Sequence, residues 1–439
     1  MKRANIPIQK FKDAPIEIID GDRGNNYPKD SEWLENGYCL FLNTGNVTES
    51  GFNFNNCQFI SFDKDQIMRK GKLKRNDLVM TTRGTVGNVG YYNSKIAFEN
   101  IRINSGMVIF RVDQVEILPS FLYQYLRSKY FNKQVNALRT GAAQPQLPIR
   151  DIKCIKIQIP QIVAQEKIAD ILSAYDDLID INRRRIQLLE ESARLLFREW
   201  FVYFRFPRLR QGYGGQVGHE EVKIVNGVPE GWKKGNIHDI SEVKSGYAFN
   251  SKDWLDEGNP VIKIGNIIGD GTIILDNCSY IDQDVASKAK SFILKKGDLL
   301  IAMTGATIGK VGLLSENEKI AYLNQRVGKF IPKFEGAELI LYCFFMGNTA
   351  QNYITNYAGG AAQANISASQ IESIKILVAP QDIYNQFISL IEPMFEENLN
   401  LRSQNQKLAQ ARDLLLPRLM SGAIEVSESK IEISREAEI

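Results

Sequence analysis

Two glycine-punctuated stretches invite a chemical reading: MTGATIGKVG (303–312) and TTRGTVGNVG (81–90). A nucleotide-binding loop needs Gly, four spacers, Gly, Lys and then Ser or Thr, so that backbone amides wrap the phosphates and a hydroxyl holds Mg²⁺. Here Gly305 and Gly309 enclose three residues, and Val311 stands where the hydroxyl belongs. Other reactive constellations are equally thin. Glu242-Val243-Lys244 has the form of a nuclease metal-site tail, yet Asp239 is too near in sequence to be its partner and the matching stretch of the other half has nothing comparable. There is no Gly-x-Ser-x-Gly elbow, no His-Glu-x-x-His and no Asn-Pro-Pro-aromatic methyltransferase signature. With only His219 and His238, imidazole chemistry and His-based metal binding have little material.

Basic and amide side chains beside turns recur instead. RKGKLKR (69–75) places Lys72, Lys74 and Arg75 just before the first glycine hairpin, and Lys295 and Lys296 occupy the corresponding stretch before the second. Such clusters neutralise phosphates, or are solvated loops. The hairpins add Arg83, Thr85 and Asn88 in one case and Thr304, Thr307 and Lys310 in the other, side chains able to donate to phosphates or base edges. Two Gly-Ala-Ala-Gln turns contribute Arg139, Gln144 and Gln146, then Gln363 and Asn365. Gln and Asn make bidentate bonds to adenine in the major groove, although a plain loop-to-helix cap explains them as well. Pro148 suits a first helical position, and Ser367 with Gln370 resembles a capping box.

These elements recur because the chain is written twice. RNDLVMTTRGTVGNVGYY (75–92) aligns with KGDLLIAMTGATIGKVGLL (296–314), Asp77 opposite Asp298. Upstream, Trp33 falls opposite Trp254 and Gly45-Asn46 opposite Gly265-Asn266; downstream, GAAQPQLPIRDIKCIKI (141–157) aligns with GAAQANISASQIESIKI (360–376), all at nearly constant offset. Each copy reads as short strand-like runs broken by Gly, Asn and Asp, then one long helix.

The first helix begins after Pro160, with a seam through Leu172, Tyr175, Ile179, Asn182, Ile186, Leu189, Ala193, Leu196 and Trp200 that alternates steps of three and four, as a coiled coil does. The second begins after Pro380 and repeats the seam through Ile391, Met394, Asn398, Leu401, Asn405, Leu408, Leu415 and Leu419; Pro393 is expected to distort its first turns and Pro417 its end. At about 1.5 Å per residue each helix would span roughly 60 Å. The expected organisation is α+β: a module over 1–160, a helix over 161–204, a Gly-rich linker over 205–231, a second module over 232–380, a helix over 381–422 and a tail over 423–439. Two copies of one binding module on paired helices would read two short DNA segments. Because their polar tips differ, Arg83 against Thr304 and Asn88 against Lys310, the half-sites should differ too.

Composition narrows the class further. The 439 residues are 44% hydrophobic and 24% charged, ordinary for a soluble globular chain, and no apolar run approaches membrane-span length. The five cysteines lie singly, without a Cys-x-x-Cys pair, which argues against disulfide or zinc frameworks. A cytoplasmic protein is expected. The net charge of +3 is too small to indicate nucleic acid by itself.

PQIVAQEKIADILSAYDDLID (160–180), REWFVYFRFP (198–207), NGVPEGW (226–232) and RDLLLPRLMSGAIEV (412–426) complete the picture. Through them nearly the whole chain resembles the specificity subunit of Type I restriction-modification systems. The resemblance implies two target-recognition domains with pseudo-twofold repetition, two long helices forming an antiparallel coiled coil, and a non-catalytic chain whose domains each read one half of a split double-stranded DNA target. It implies partners as well: two methyltransferase subunits bringing S-adenosylmethionine, and motor-nuclease subunits bringing ATP and Mg²⁺, with no cofactor on this chain. One departure is RLRQGYGGQV (208–217), which intervenes between the Phe-Pro and the Gly-His-Glu that family members commonly run together. The rival readings are a self-sufficient metal- or ATP-dependent nuclease or NTPase built on the glycine hairpins, and a scaffold that binds protein alone.

Overall fold

A computed structural model describes residues 7–141, 145–209, 217–218, 223–225, 227–275, 278–316, 319–358, 365–420 and 424. The chain divides into two compact units, Met1–Leu178 with Leu408–Ile439, and Ile179–Lys407. Gln144, Gln363, most of the tail and parts of the linker lie outside the described residues.

The first unit is built on a four-stranded antiparallel sheet in the order Ile16–Asp20, Met107–Val112, Leu78–Thr81, Val89–Tyr91. Its central strands are apolar on both faces, so they are buried throughout or nearly so, and Val108 sits opposite both Asp20 and Met80. A second sheet joins Phe59–Ile60, Cys39–Leu42 and Ile101–Ile103, the last two parallel. Ile8–Lys10 pairs with Lys156–Gln158 and ties the start of the module to the segment before the long helix. Helices Pro119–Leu126 and Lys129–Leu138 cover one face through Phe121, Tyr125 and Phe131, which cluster with Phe11 and Phe110.

The second unit repeats this plan in detail. Its sheet runs Ser241–Ser245, Val327–Pro332, Leu299–Ala302, Val311–Leu313, and Gly328 sits opposite both Ser245 and Ile301. Asn259–Ile262 lies parallel to Ala321–Leu323, Lys233–Asn236 pairs with Lys375–Val378, and helices Ala337–Phe345, Asn348–Ala358 and Ala368–Glu372 follow. The aligned aspartates explain part of the repetition. Asp77 accepts from the Lys74 amide at 2.7 Å and pairs with Arg111 at 2.7 Å; Asp298 accepts from the Lys295 amide at 2.7 Å and pairs with Lys329 at 2.6 Å. Each carboxylate closes the turn into its strand and pins the neighbouring strand.

The long helices span Ile162–Phe197, continued by a π turn over Arg198–Val202, and Gln381–Met420. Leu172, Ile179, Ile186, Ala193 and Trp200, seven residues apart, are all buried. In the first unit Ile168, Ala169 and Leu172 pack with Leu416, Leu419 and Met420, and Arg412 reaches Asp176 at 2.6 Å. In the second, Asn182 donates to Asn405 at 3.0 Å and Arg402 pairs with Glu190 at 2.6 Å. In each unit the numbering rises on one helix as it falls on the other, so the helical segments are antiparallel.

Two local expectations need correction. The second helix runs through Pro393 and Pro417, because both occupy exposed positions where water can take the carbonyl that lacks its amide donor. Pro148 is the N-cap of Ile149–Ile152 and not its first helical residue, since its ψ of 149° is extended. The capping box of Ser367 and Gln370 forms in both directions, at 3.2 and 2.8 Å.

Candidate nucleic-acid interface

The glycine stretches are tight turns closed on their own strands. In the first unit Gly87 donates to the Thr81 carbonyl at 2.9 Å and Thr81 donates to the Asn88 carbonyl at 3.0 Å. The Thr81 hydroxyl donates to the Thr85 carbonyl and accepts from the Asn88 amide, which fixes the turn from inside. Gly84 and Gly87 hold φ of 70° and 99°, backbone that other residues adopt only with strain. The second unit makes the same bonds, Gly309 to Ala302 at 2.8 Å and Ala302 to Lys310 at 2.9 Å.

Each hairpin meets the segment that follows the Gly-Ala-Ala-Gln sequence. Leu147 donates to the Thr82 carbonyl at 2.9 Å, and Arg83 forms an antiparallel bridge with Gln146. Ile366 donates to the Met303 carbonyl at 2.9 Å, and Thr304 bridges Asn365. Residues more than sixty positions apart in sequence are thus neighbours, by the same bonds, in both units. The aligned Gly-Asn segment is the third element. The Asn88 side-chain Nδ2 donates to the Val47 carbonyl at 3.0 Å, and the Thr307 hydroxyl donates to the Ile264 carbonyl at 3.1 Å. Asn46 and Asn266 are buried staples inside that segment, each donating to a carbonyl seven or eight residues on.

The expected contact residues fall into two sets. Arg83, Thr85, Arg139 and Gln146 are exposed around the first bridge; Asn365 is exposed and Thr304 half-buried at the second. Lys74 and Lys295 are exposed, and Lys296 donates to the Asn400 side chain at 3.1 Å. Others have partners within the fold. Arg75 donates to the Asn93 and Ile96 carbonyls at 2.9 and 2.8 Å and lies 4.2 Å from the Tyr92 ring centroid. Lys72 pairs with Asp65, Asn88 and Thr307 hold the turn carbonyls just described, and Lys310 donates to the Ile268 carbonyl at 3.1 Å.

Beneath the first basic turn is an ion cluster that the sequence did not reveal. Arg102 is buried and donates to Asp65 at 2.6 Å, to the Lys70 carbonyl at 2.7 Å and to the Met68 carbonyl at 3.1 Å. Burial pushes the Asp65 carboxyl upward, but hydrogen bonds from Lys72 and Arg102 outweigh it and hold the group below the usual carboxylate range. Asp22 behaves alike: burial raises it, while amides of Gly24, Arg69 and Lys70 lower it further. Asp22 and Arg102 together fix the turn that exposes Arg69 and Lys70. Arg23, also exposed, donates to the Ser105 carbonyl at 3.3 Å, beside the strand turn whose Gly106 carbonyl receives the Thr82 amide. Arg69 and Lys70 belonged to the recognised charge run; Arg23 stood alone in sequence and gave no signal.

The nuclease reading finds no support here. The Asp239 carboxylate accepts from the Asn236 amide at 2.7 Å, and Lys244 lies 5.0 Å from the Phe292 ring centroid. Among the described residues no group of three or more His, Cys, Asp or Glu side chains is placed to hold a metal ion, and no helix is long and apolar enough to cross a membrane.

A duplicated α+β module whose repeated turns converge on an exposed polar face defines a recognition protein. The chain belongs to the family of the Type I restriction modification DNA specificity domain, matching its model over residues 16–191 and again over 229–408. It is 25% identical to the Type I restriction enzyme HindI specificity subunit of Haemophilus influenzae, over 92% of this chain and 98% of that one. It is 24% identical to the MjaIX specificity subunit of Methanocaldococcus jannaschii, over 97% of this chain and 91% of that one. In fold it is similar to the crystal structure of a Type I restriction-modification S subunit from M. genitalium, with a TM-score of 0.52 and 14% identity over 95% of this chain and 97% of that one.

Proposed function

We propose that this chain is the non-catalytic, DNA-reading specificity subunit of a Type I restriction-modification complex, and that each unit reads one half of a bipartite, asymmetric target. The observation that carries the proposal is the meeting of the hairpin with the segment after the Gly-Ala-Ala-Gln sequence, through the same backbone bonds and with different exposed side chains, in both units. The shared backbone presents the face; the unlike side chains make the half-sites differ. The exposed cations Arg69 and Lys70 of the first unit are suited to phosphates, which fix register without reading sequence, whereas Lys74 and Lys295 stand at the starts of Leu78–Thr81 and Leu299–Ala302, away from the hairpins. Arg83 and Gln146 adjoin at the first bridge, and Thr304 and Asn365 at the second; these side chains can reach base edges in a major groove.

The complex would direct methyltransferase and restriction subunits to the target. Two methyltransferase subunits are proposed, one for each unit, with S-adenosylmethionine, ATP and Mg²⁺ bound by partners and not by this chain. Co-expression with the methyltransferase, followed by mapping of methylated adenines, tests the reading. The expected result is one motif with two unlike halves. Arg83→Ala should cost about 1–3 kcal/mol of target binding and relax one base preference in one half only. An unchanged methylation pattern in that variant removes Arg83 from the reading set; a methyltransferase that does not co-purify, or a wild-type complex without a sequence motif, overturns the proposal.

A further inference from the structure

The two reading faces look unequal. The first has Arg83 on its hairpin, whereas the second has Thr304 at the bridging position and so lacks a guanidinium there. The adjacent turn resolves the difference. Asn104 accepts the Gly106 amide at 2.9 Å and the Gly106 carbonyl receives the Thr82 amide at 2.7 Å; Asn324 accepts the Arg326 amide at 3.2 Å and the Arg326 carbonyl receives the Met303 amide at 3.0 Å. Arg326 therefore stands where the first unit has Gly106.

That position adjoins the hairpin. A Cβ built on Gly106 would lie 3.9 Å from the Arg83 Cβ and 2.8 Å from the Thr44 methyl group, so the first unit has an arginine on its hairpin and, on the facing turn, a glycine whose side chain would crowd Thr44. The second unit reverses the arrangement, with a short threonine on the hairpin and an arginine opposite. The Arg326 side chain is exposed, and among the described residues it has no side-chain partner.

We infer that Arg326 is the guanine-reading residue of the second unit, the counterpart of Arg83 supplied from the neighbouring turn. Each face then sets an arginine close to a carboxamide, Arg83 with Gln146 at the first bridge and Arg326 with Asn365 at the second. Arginine makes bidentate bonds to guanine O6 and N7, and Gln or Asn to adenine N6 and N7. This inference rests on the proposal that these faces contact DNA, and it assigns to Arg326 one G·C pair in the second half-site.

Selection from a library of randomised DNA duplexes, using the full chain co-expressed with its methyltransferase partner, tests it. Wild-type protein, Arg326→Ala and Arg326→Lys would be compared, with melting curves to confirm the fold. For Arg326→Ala the selected motif should keep its first half and lose one G·C preference in the second, with affinity for the original target reduced about 10- to 100-fold. Arg326→Lys should keep its affinity for unrelated DNA and regain only part of that preference, because a flexible ammonium can reach O6 and N7 but lacks the rigid planar fork. An unchanged motif, a change in the first half, or an equal loss on all sequences with a shallower salt dependence overturns the assignment, the last making Arg326 a phosphate contact. Those outcomes leave the proposed function standing. Wild-type protein that selects no motif overturns both.

Discussion

Arg102→Met is expected to destabilise the first unit by about 3–5 kcal/mol, the usual effect of removing one partner from a buried ion pair. The Arg102 and Asp65 side chains are only 6% and 2% exposed, so the buried carboxylate would keep Lys72 as its remaining ion partner and have little access to water in place of the lost guanidinium. The carbonyls of Asp65, Met68 and Lys70 lose their donor in the same step. Hydrogen exchange should therefore quicken in Cys39–Leu42 and Ile101–Ile103, which hold Arg102 in place, and not in the second unit. Asp65→Leu combined with Arg102→Met should recover much of the loss, because no buried charge is then left alone. The pH dependence has a definite sign. Asp65 is held below its ordinary range, so it contributes stability above that range, and the contribution is lost as pH falls through about 4 and lower. Melting temperature against pH should show this acid loss in the wild type and a flatter curve in the double variant. A single variant as stable as wild type would show that the cluster does not hold the basic turn.

The second large effect concerns two equivalent glycines. A Cβ on Gly21 would lie 2.2 Å from the Asn104 carbonyl oxygen, and one on Gly246 would lie 2.3 Å from that of Leu323. Both obstacles are backbone, so a methyl group must displace the turn that carries Gly106 in one unit and Arg326 in the other. Alanine at either position should cost about 3 kcal/mol, the upper part of the range for overpacking. Because the displaced turn borders the reading face, Gly21→Ala should weaken recognition of one half-site and Gly246→Ala that of the other. Denaturant unfolding and target binding on the two variants check this. Variants that change both halves alike would contradict the equivalence of the units.

The duplication was legible in sequence because glycines at positive φ and carboxylates that close turns tolerate few substitutes. Asp77 and Asp298, Gly84 and Gly305, and Ser367 with Gln370 are written into the chain by local geometry. Which cations face outward was not legible. Lys72 and Arg75 look the same in sequence as Lys70 and Lys74, yet Asp65 holds the first and the Asn93 and Ile96 carbonyls the second. Those partners are set by the tertiary fold, in which Arg102 holds Asp65 from 37 residues away. Arg326 escaped notice for a related reason: aligning the copies matches backbone positions, and its counterpart is a glycine with no side chain to compare. The prolines of the second helix were misjudged because their effect depends on exposure, which sequence spacing does not give.

The central claim, two independent reading faces on one chain, is tested most directly by hydroxyl-radical footprinting of the full complex on its own target. Two separate protected segments are expected, with Arg83→Ala eroding one and Arg326→Ala the other. One continuous footprint that both variants erode equally would contradict the account.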